Sequence, residues 1–459
     1  MPDRHPWAYL IAVLLIYGGG YCLFPPAVFI SADESAYVEQ AVVFADRSLA
    51  VVSPYPPGTS LLQAAFVALA GWRGAIWVSL LSAALTVLLM ARWLRDAGYH
   101  SGFALLFLAY APTLVMARIG SSELPSTAMV ALGLWLYWTG DGQRWKWAVA
   151  GAVGGLSVLL RETNVVLFLP FVVAAIVRRR PGATVLTGFL GAGLLAAALV
   201  YELTAATFPG LRDTAGWSLD GIQARAVLYA VCTSILVPGG LAAIVAYQGR
   251  ERHPLIAAVG IYLAIYLFYD YSASDSDRLA RFATIGRYLV PLIPLMTLAW
   301  ADSVSRIGSA VPIGRVTLAA FMITASAAFA VHPVLRARSL RDQDIVRQIA
   351  TTVSRGAVIA DDSQRKYVAP VFGEFHRYWI RDTAVRDLPL VIARHPSAYI
   401  VHVGRFQTPA VQDVSVDAPL YLEAAARACR IEPVVDRTFA DRRRLQIWRV
   451  SSCGDVLPA

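Results

Sequence analysis

The sequence has little charge and almost no lysine. Only 15% of its 459 residues are charged, whereas a soluble domain of this length carries roughly a quarter. The positive charge is almost entirely arginine, because Lys146 and Lys366 are the only lysines. The low charge and a mean hydropathy of +0.55 exclude an ordinary soluble protein. The arginines are spread over loops between apolar runs, so the net charge of +9 does not predict nucleic-acid binding.

Cysteine is also scarce, and none of the four cysteines lies in a metal-binding CxxC pattern, so we predict no zinc site. Cys22 and Cys232 lie in apolar runs and are expected to be inert core residues. Cys429 and Cys453 lie in a polar C-terminal region and would form a disulfide if that region faces an oxidising compartment. No small-residue cleavage site follows the apolar run 7–29, which therefore predicts a span rather than a cleaved signal.

Apolar runs long enough to cross a bilayer fill most of the chain before residue 331. A spanning helix needs about 20 apolar residues, and this criterion predicts about eleven transmembrane helices. They lie near residues 7–29, 75–94, 102–118, 124–139, 147–160, 164–177, 183–201, 226–247, 255–270, 286–301 and 313–331. The apolar run 58–71 is too short to cross and predicts a juxtamembrane helix in the first outer loop, 30–74. We therefore predict an α-helical polytopic membrane domain over 1–331.

Basic residues are concentrated in alternate loops between the predicted spans. These loops hold Arg92, Arg95, Arg144, Lys146, Arg178, Arg179, Arg180, Arg250, Arg252 and Arg306. By the positive-inside rule, these loops and the N-terminus are cytoplasmic, whereas the first loop and the C-terminal region lie outside. The preference for arginine and alanine over lysine indicates a GC-rich bacterial genome. We therefore predict a multi-pass protein of a bacterial inner membrane.

The polar remainder, 332–459, has the pattern of a separate domain. The runs 356–360, 398–403 and 445–450 predict buried strands, and the run 421–430 predicts a helix. A segment of roughly 120 residues is long enough to have its own core. We therefore predict a small extracytoplasmic α/β domain.

Charged residues recur at the outer ends of the predicted spans: Asp33-Glu34, Glu123, Arg161-Glu162 and Arg287. Each has a structural alternative. The acidic residues suit helix N-termini, Arg161-Glu162 would form a self-satisfied ion pair, and Arg287 would extend to the interface. Taken together, the clusters favour a shared site over separate structural roles, because every cluster falls on the outer face of the membrane.

Such a set of residues suits group transfer from a lipid-phosphate carrier. A carboxylate in a low-dielectric cavity can act as a general base on a hydroxyl or amine. Arginines hold phosphate through charge-assisted, often bidentate hydrogen bonds, and apolar walls suit a lipid tail. The phosphate would leave as the acceptor attacks the anomeric carbon of a sugar.

The ordered set of motifs resembles the GT-C superfamily of integral membrane glycosyltransferases. The nearest branch holds the protein O-mannosyltransferases and the lipid A aminoarabinose transferases. The matching pieces are Asp33-Glu34 with Tyr37, Tyr55-Pro56-Pro57-Gly58, Ser122-Glu123-Leu124-Pro125, the run from Gly155 to Glu162, and the run from Arg287 to Pro294. The resemblance covers most of residues 7–301, and its pieces occur in the right order.

The resemblance implies a polyprenyl-phosphate-linked sugar donor, inversion at the anomeric carbon, and a hydroxyl or amine acceptor on a cell-envelope glycan, lipid or protein. It implies that Asp33 is the base, that Arg287 binds the donor phosphate, and that Glu123 lies near the acceptor or the base. We further expect Glu34 and Glu123 to shape the acceptor pocket, and Arg161 to bind phosphate together with Arg287. Tyr37, Tyr55, Pro57, Glu162 and Tyr288 would line the substrate pocket. The aminoarabinose transferases carry a phosphate-binding lysine in the first outer loop, which this sequence lacks. Arg47, Arg73 and Arg161 are candidates to replace it.

Other functions remain as alternatives at this point. A transporter or flippase of a lipid-linked sugar predicts polar residues through the whole bilayer depth and paired half-repeats, and the sequence shows neither pattern. A non-catalytic scaffold would leave the acidic convergence unexplained. No cofactor is predicted. The oxygen ligands of Asp33, Glu34 and Glu123 suit magnesium or manganese, whereas the resembling branch works without a metal, so metal dependence stays open.

Overall fold

A computed structural model describes most of the chain. The described residues are 11, 14–25, 27–28, 32–48, 53, 55–204, 219, 221–236, 240–268, 286–307, 333, 336–337, 339–353, 357–361, 365–368, 377–380, 398–405, 422–423, 425–427, 429–439 and 443–453. The chain divides into two compact units. The first comprises Met1–Pro25, Ala36–Ser272 and Asp277–Pro333, and the second comprises Pro26–Ser35, Ala273–Ser276 and Val334–Ala459.

Helices dominate the first unit. The longer ones are α1 (Ala32–Ala45, which begins in the second unit), α2 (Pro57–Ala70), α3 (Gly74–Asp96), α4 (Glu123–Trp138), α5 (Arg144–Leu156), α6 (Asn164–Val177), α7 (Ala183–Leu203), α8 (Ile222–Leu236), α9 (Gly240–Ala246), α10 (Arg252–Phe268) and α11 (Ile293–Ile307). Short helical segments cover Leu14–Gly18, Gly19–Leu23, Gly71–Arg73, Ser101–Leu105, Leu106–Ala109, Ala111–Met116, Ser157–Leu159 and Val290–Leu292.

Three helical stretches of the described chain are long and apolar enough to cross a membrane: Pro57–Asp96, Ala183–Leu203 and Gly286–Arg306. The first joins the predicted juxtamembrane helix, α2, to the next predicted span, α3. Gly71 lies between them with a φ of +64°, a conformation that favours glycine. The predicted spans near 164–177 and 183–201 coincide with α6 and α7, whereas that near 313–331 lies outside the described residues.

One predicted span is interrupted. The span near 102–118 is divided into short segments at Tyr110, whose ψ of 114° is extended. Pro112, in the first turn of the segment Ala111–Met116, explains this break, because it lacks the backbone N–H that a continuous helix would bond to the Leu108 carbonyl oxygen. In the span near 226–247, α8 ends at Leu236 and α9 begins at Gly240, and the three residues between them are not described.

Glycines allow close helix packing in the first unit. A Cβ on Gly155 of α5 would lie 2.5 Å from the carbonyl oxygen of Leu190 in α7, and one on Gly151 would lie 2.3 Å from that of Leu186. The helix backbones therefore touch directly, as small residues permit in membrane proteins. At the start of α2, a Cβ on Gly58 would lie 2.5 Å from the carbonyl oxygen of Leu159. This contact holds α2 against the turn that precedes Arg161.

The second unit contains a mixed five-stranded sheet. Its strands are β1 (Ala357–Asp361), β2 (Arg377–Ile380), β3 (Ala398–Arg405), β4 (Cys429–Thr438) and β5 (Arg443–Cys453), in the order β2-β1-β3-β5-β4. β1 pairs in parallel with β2 and β3, whereas β5 pairs antiparallel with β3 and β4. A helix over 339–352 and the short helix Arg365–Val368 accompany the sheet.

The three predicted strands are present, but the predicted helix 421–430 is wrong at its end. Cys429 and Arg430 begin β4, where they pair with β5, because strand pairing outweighs the helical propensity of the alanine-rich run before them. Cys429 is disulfide-bonded, and the register places Cys453 opposite it in β5.

The segment before α1 packs into this second unit. Val28 is buried in its core together with Ile345, Val358 and Leu445. The backbone N–H of Ala27 donates to Ser339 Oγ at 3.2 Å. The predicted span 7–29 is therefore too long at its end, because the helical segment stops at Leu23 and Val28 belongs to the core of the second unit.

Candidate active site

Glu123 is the centre of a buried charge cluster in the first unit. It lies in the first turn of α4 and is only 4% exposed. Its Oε1 lies 3.8 Å from Arg161 Nη2 and 3.8 Å from Arg287 Nε. The structure therefore brings together three of the residues that the sequence placed on one face of the membrane. The pairing also shows that Glu123 does more than complement the helix dipole.

The cluster contains polar atoms that its own contacts leave unsatisfied. Among the described residues, the buried atoms Glu123 Oε2 and Arg161 Nη1 have no hydrogen-bond partner. The ion-pair distances of 3.8 Å also exceed hydrogen-bond length. Unsatisfied buried polar groups are costly, so the arrangement suits a further polar group that binds between these side chains.

Tyr288 holds the two arginines together. The guanidinium carbons of Arg161 and Arg287 lie 4.9 Å and 4.8 Å from the centre of its ring, so both make cation–π contacts. Arg287 Nη2 also donates to the Tyr288 hydroxyl at 2.7 Å. Arg287 is thus held inside the protein rather than extended to the membrane interface. Tyr288 therefore contacts both of the arginines that the sequence predicts to bind the donor phosphate.

More tyrosines pack behind Tyr288, and the sequence analysis missed them. Tyr266 stacks on Tyr288 with 5.2 Å between ring centres, and the Tyr262 hydroxyl donates to the Tyr288 carbonyl oxygen at 2.9 Å. The hydroxyls of Tyr266 and Thr163 lie 3.2 Å apart. Tyr262 and Tyr266 are four residues apart in α10, which places them on one helix face. That spacing was the available signal.

The loop that carries Arg161 is fixed by Asn164. Its Nδ2 donates to the Ser157 carbonyl oxygen at 3.1 Å, and its Oδ1 accepts from Ser126 Oγ in α4 at 2.7 Å. This loop is therefore joined to the helix that carries Glu123. The joint fixes the distance between Arg161 and Glu123.

Glu162 and the adjacent Arg161 have different partners. Its Oε1 accepts from the Tyr201 hydroxyl at 3.1 Å, whereas Arg161 pairs with Glu123. In the described residues, Arg161 and Glu162 therefore do not form the self-satisfied pair considered as an alternative. Burial raises the pKa of the Glu162 carboxyl, which lies in the loop between α5 and α6.

The first outer loop reaches the same end of the helical unit. The Tyr37 hydroxyl donates to Ser122 Oγ at 3.1 Å, one residue before Glu123, and its ring stacks on Tyr55 at 4.9 Å. Pro57 is buried in the first turn of α2, where its missing N–H costs no helical hydrogen bond. Tyr37 and Tyr55 thus lie near the start of α4.

Asp33 and Glu34 lie in the first turn of α1 and group with the second unit. Asp33 is partly buried, and Glu34 is 1% exposed. Tyr37 follows Asp33 by four residues, so both lie on the same face of the helix. Within the described part of the chain, no three side chains of histidine, cysteine, aspartate or glutamate are grouped as a metal site.

Of the candidates to replace the absent lysine, only Arg161 is shown in the Glu123 cluster. Arg73 is exposed, and its guanidinium carbon lies 5.2 Å from the centre of the Trp72 ring. Arg47 is exposed at a turn after α1, with a φ of 59°.

A second charge network lies at the opposite end of the same helices. The buried carboxylate of Glu251 pairs with Arg178 at 2.7 Å, with Arg180, and with Arg250 at 3.6 Å. Arg250 also pairs with Asp141. These residues come from the loops predicted to be cytoplasmic. The helical unit therefore has an arginine-rich end and, at its other end, the Glu123 cluster.

The apolar helices and their arrangement define the class of protein: the chain is a membrane-embedded helical protein. No protein-family model and no curated protein matches its sequence.

Solved structures nevertheless match over nearly the whole chain. The crystal structure of ArnT from Cupriavidus metallidurans bound to undecaprenyl phosphate has a TM-score of 0.67 and 14% identity, covering 96% of this chain and 97% of that chain. The apo structure of the same protein has a TM-score of 0.62 and 15% identity over the same shares. At such low identity, the likeness shows the fold alone. It confirms the GT-C-like fold that the ordered motifs predicted.

Proposed function

We propose that the protein is a polyprenyl-phosphate-sugar-dependent glycosyltransferase. It would move a sugar, with inversion, to a hydroxyl or amine acceptor on a cell-envelope glycan, lipid or protein. The observation that carries this proposal is the pair of arginines held by Glu123 and Tyr288. The ArnT fold supports it, because one structure with this fold contains undecaprenyl phosphate.

The donor phosphate would bind to Arg161 and Arg287. Guanidinium groups suit phosphate because their N–H donors match its oxygens in pairs. The unsatisfied Nη1 of Arg161 supplies such a donor inside the protein, where a charge-assisted hydrogen bond is stronger than in water. The apolar helices would accommodate the prenyl chain.

Asp33 would act as the general base. In a single displacement, the acceptor oxygen or nitrogen attacks the anomeric carbon as its proton passes to the Asp33 carboxylate. The bond from that carbon to the phosphate oxygen breaks, and its electrons remain on the phosphate. The position of Asp33 one helical turn before Tyr37, which contacts Ser122, supports this role. Glu34 and Glu123 would shape the acceptor pocket. The substrate pocket would be lined by Tyr37, Tyr55, Pro57, Glu162 and Tyr288.

The reaction would occur at the outer face of a bacterial inner membrane. The transmembrane catalytic domain is then 1–331, and 332–459 is an extracytoplasmic domain. Two observations support this orientation. Cys429 is disulfide-bonded, which suits an oxidising compartment, and the opposite end of the helical unit carries the Glu251 arginine network, which suits the cytoplasm.

An Asp33→Asn variant tests the chemistry and separates it from transport. In a strain lacking the gene, the variant should restore envelope glycosylation at least about 100-fold more slowly than the wild type, because loss of a general base costs about that much or more. Mass spectrometry of envelope glycans measures the product. Glu202→Gln, at an exposed position in α7, is the charge-matched control. A flippase would keep working without a base, so wild-type product levels with Asp33→Asn would refute the enzyme proposal.

A further inference from the structure

Glu123 places a negative charge where the proposed function needs to bind an anion. Its carboxylate lies 3.8 Å from each phosphate-binding arginine and is buried. It therefore lowers the positive potential that a phosphate would experience. The carboxylate helps to hold the two arginines in place, and its charge also acts on any phosphate that binds between them. The inference that follows rests on the proposed function.

The reaction changes the charge of the bound phosphate. The donor is a phosphodiester, which carries one negative charge. Once the sugar leaves, the carrier is a phosphate monoester, which carries about 1.5 to 2 negative charges near pH 7. The cluster of two arginines and one glutamate has a net charge of +1. It therefore neutralises the donor but leaves an excess of negative charge with the spent carrier.

We propose that Glu123 distinguishes the sugar-loaded diester from the spent monoester and so promotes release of the carrier after transfer. A Coulomb interaction scales with the charge of the ligand. Repulsion from Glu123 therefore weakens monoester binding more than diester binding. The unfavourable free energy of this repulsion is up to twice as large for the monoester as for the diester. Without Glu123, the arginines would hold the product and slow the next turnover.

Binding of two lipids tests this role without knowledge of the sugar. The probes are undecaprenyl phosphate and its methyl ester, a diester with one charge, titrated against the purified full-length protein at pH 7.5. Glu123→Gln should shift the ratio of the two dissociation constants at least tenfold in favour of the monoester. Glu123→Asp, which keeps the charge, should retain a ratio near that of the wild type. Glu202→Gln, which removes an exposed charge, should leave the ratio unchanged.

The pH dependence adds a readout that a merely structural role would not change. At pH 5 the monoester has lost most of its second charge, because that group titrates near pH 6. The difference in ratio between Glu123→Gln and the wild type should then disappear. Glu123→Met, also neutral and of similar length, serves if the amide variant does not fold.

The lipid-binding experiment distinguishes failure of the proposed function from failure of the inference about Glu123. If the wild type binds neither lipid, the proposed function is wrong, and the inference falls with it. If both lipids bind but the ratio is the same in the wild type and in the neutral variants, the inference alone is overturned.

Discussion

At the scale of single residues, the candidate site holds two positively charged side chains close to each other. Arg161 and Arg287 repel each other, and both contact the Tyr288 ring. The Tyr288 hydroxyl adds a hydrogen bond from Arg287. Under the proposed function, Tyr288 would prepare the two cations before the donor phosphate binds, which would reduce the ordering that binding otherwise requires.

Two substitutions of Tyr288 separate its contributions. Tyr288→Phe removes the hydrogen bond but keeps the ring, and should weaken undecaprenyl phosphate binding about fivefold, the effect of a hydrogen bond worth about 1 kcal/mol. Tyr288→Leu also removes both cation–π contacts and should weaken binding further. Titration of the detergent-purified variants measures this. Tyr99→Phe, at the arginine-rich end, is the control, and wild-type affinity of Tyr288→Leu would contradict the interpretation.

At the scale of secondary-structure elements, the contact between α5 and α7 depends on glycine. Gly155→Ala places a Cβ against the Leu190 carbonyl oxygen and should destabilise the protein by roughly 1–3 kcal/mol, as overpacking does. Gly191→Ala in α7 is the matched control, since a Cβ there meets nothing within 4 Å. Alanine at that position should be neutral or slightly stabilising. Thermal unfolding in detergent compares them, and equal melting temperatures would show that the helices do not pack this closely.

The sequence predicted the elements whose pattern is local. Hydropathy alone located α3, α6 and α7, and Pro112 could have predicted the break at Tyr110. The sequence pattern did not predict that Cys429 begins a strand, because that strand depends on pairing with the distant β5. The small strand β2 was missed for the same reason.

In the candidate site, too, the features that follow from local sequence were predictable and those that depend on distant contacts were not. The positions of Glu123, Arg161 and Arg287 at the ends of apolar runs were enough to predict that they lie on one face of the membrane. Their specific partners were not predictable. Glu162 contacts Tyr201 from a distant helix rather than the adjacent arginine, and only the packing of α7 against α5 determines that choice.

At the scale of the whole molecule, the charge difference between the two ends of the helical unit predicts its orientation. In a variant with Cys22 replaced by serine, a membrane-impermeant maleimide added to intact cells should label Glu202→Cys but not Arg144→Cys. Both positions are exposed and lie at opposite ends of the helices. Arg144→Cys should become reactive only after the membrane is permeabilised. The reverse pattern would place the Glu123 cluster on the cytoplasmic side.

Binding of undecaprenyl phosphate to Arg161→Gln and Arg287→Gln tests the central claim most directly. Each variant loses a charged donor while keeping a side chain of similar reach. A hydrogen bond to a charged group is worth about 1.5–3 kcal/mol, so each should weaken binding about 10-fold to 100-fold. Arg92→Gln, an exposed position in α3, should bind as the wild type does. Wild-type affinity in both arginine variants would contradict the assignment of this cluster to the donor phosphate.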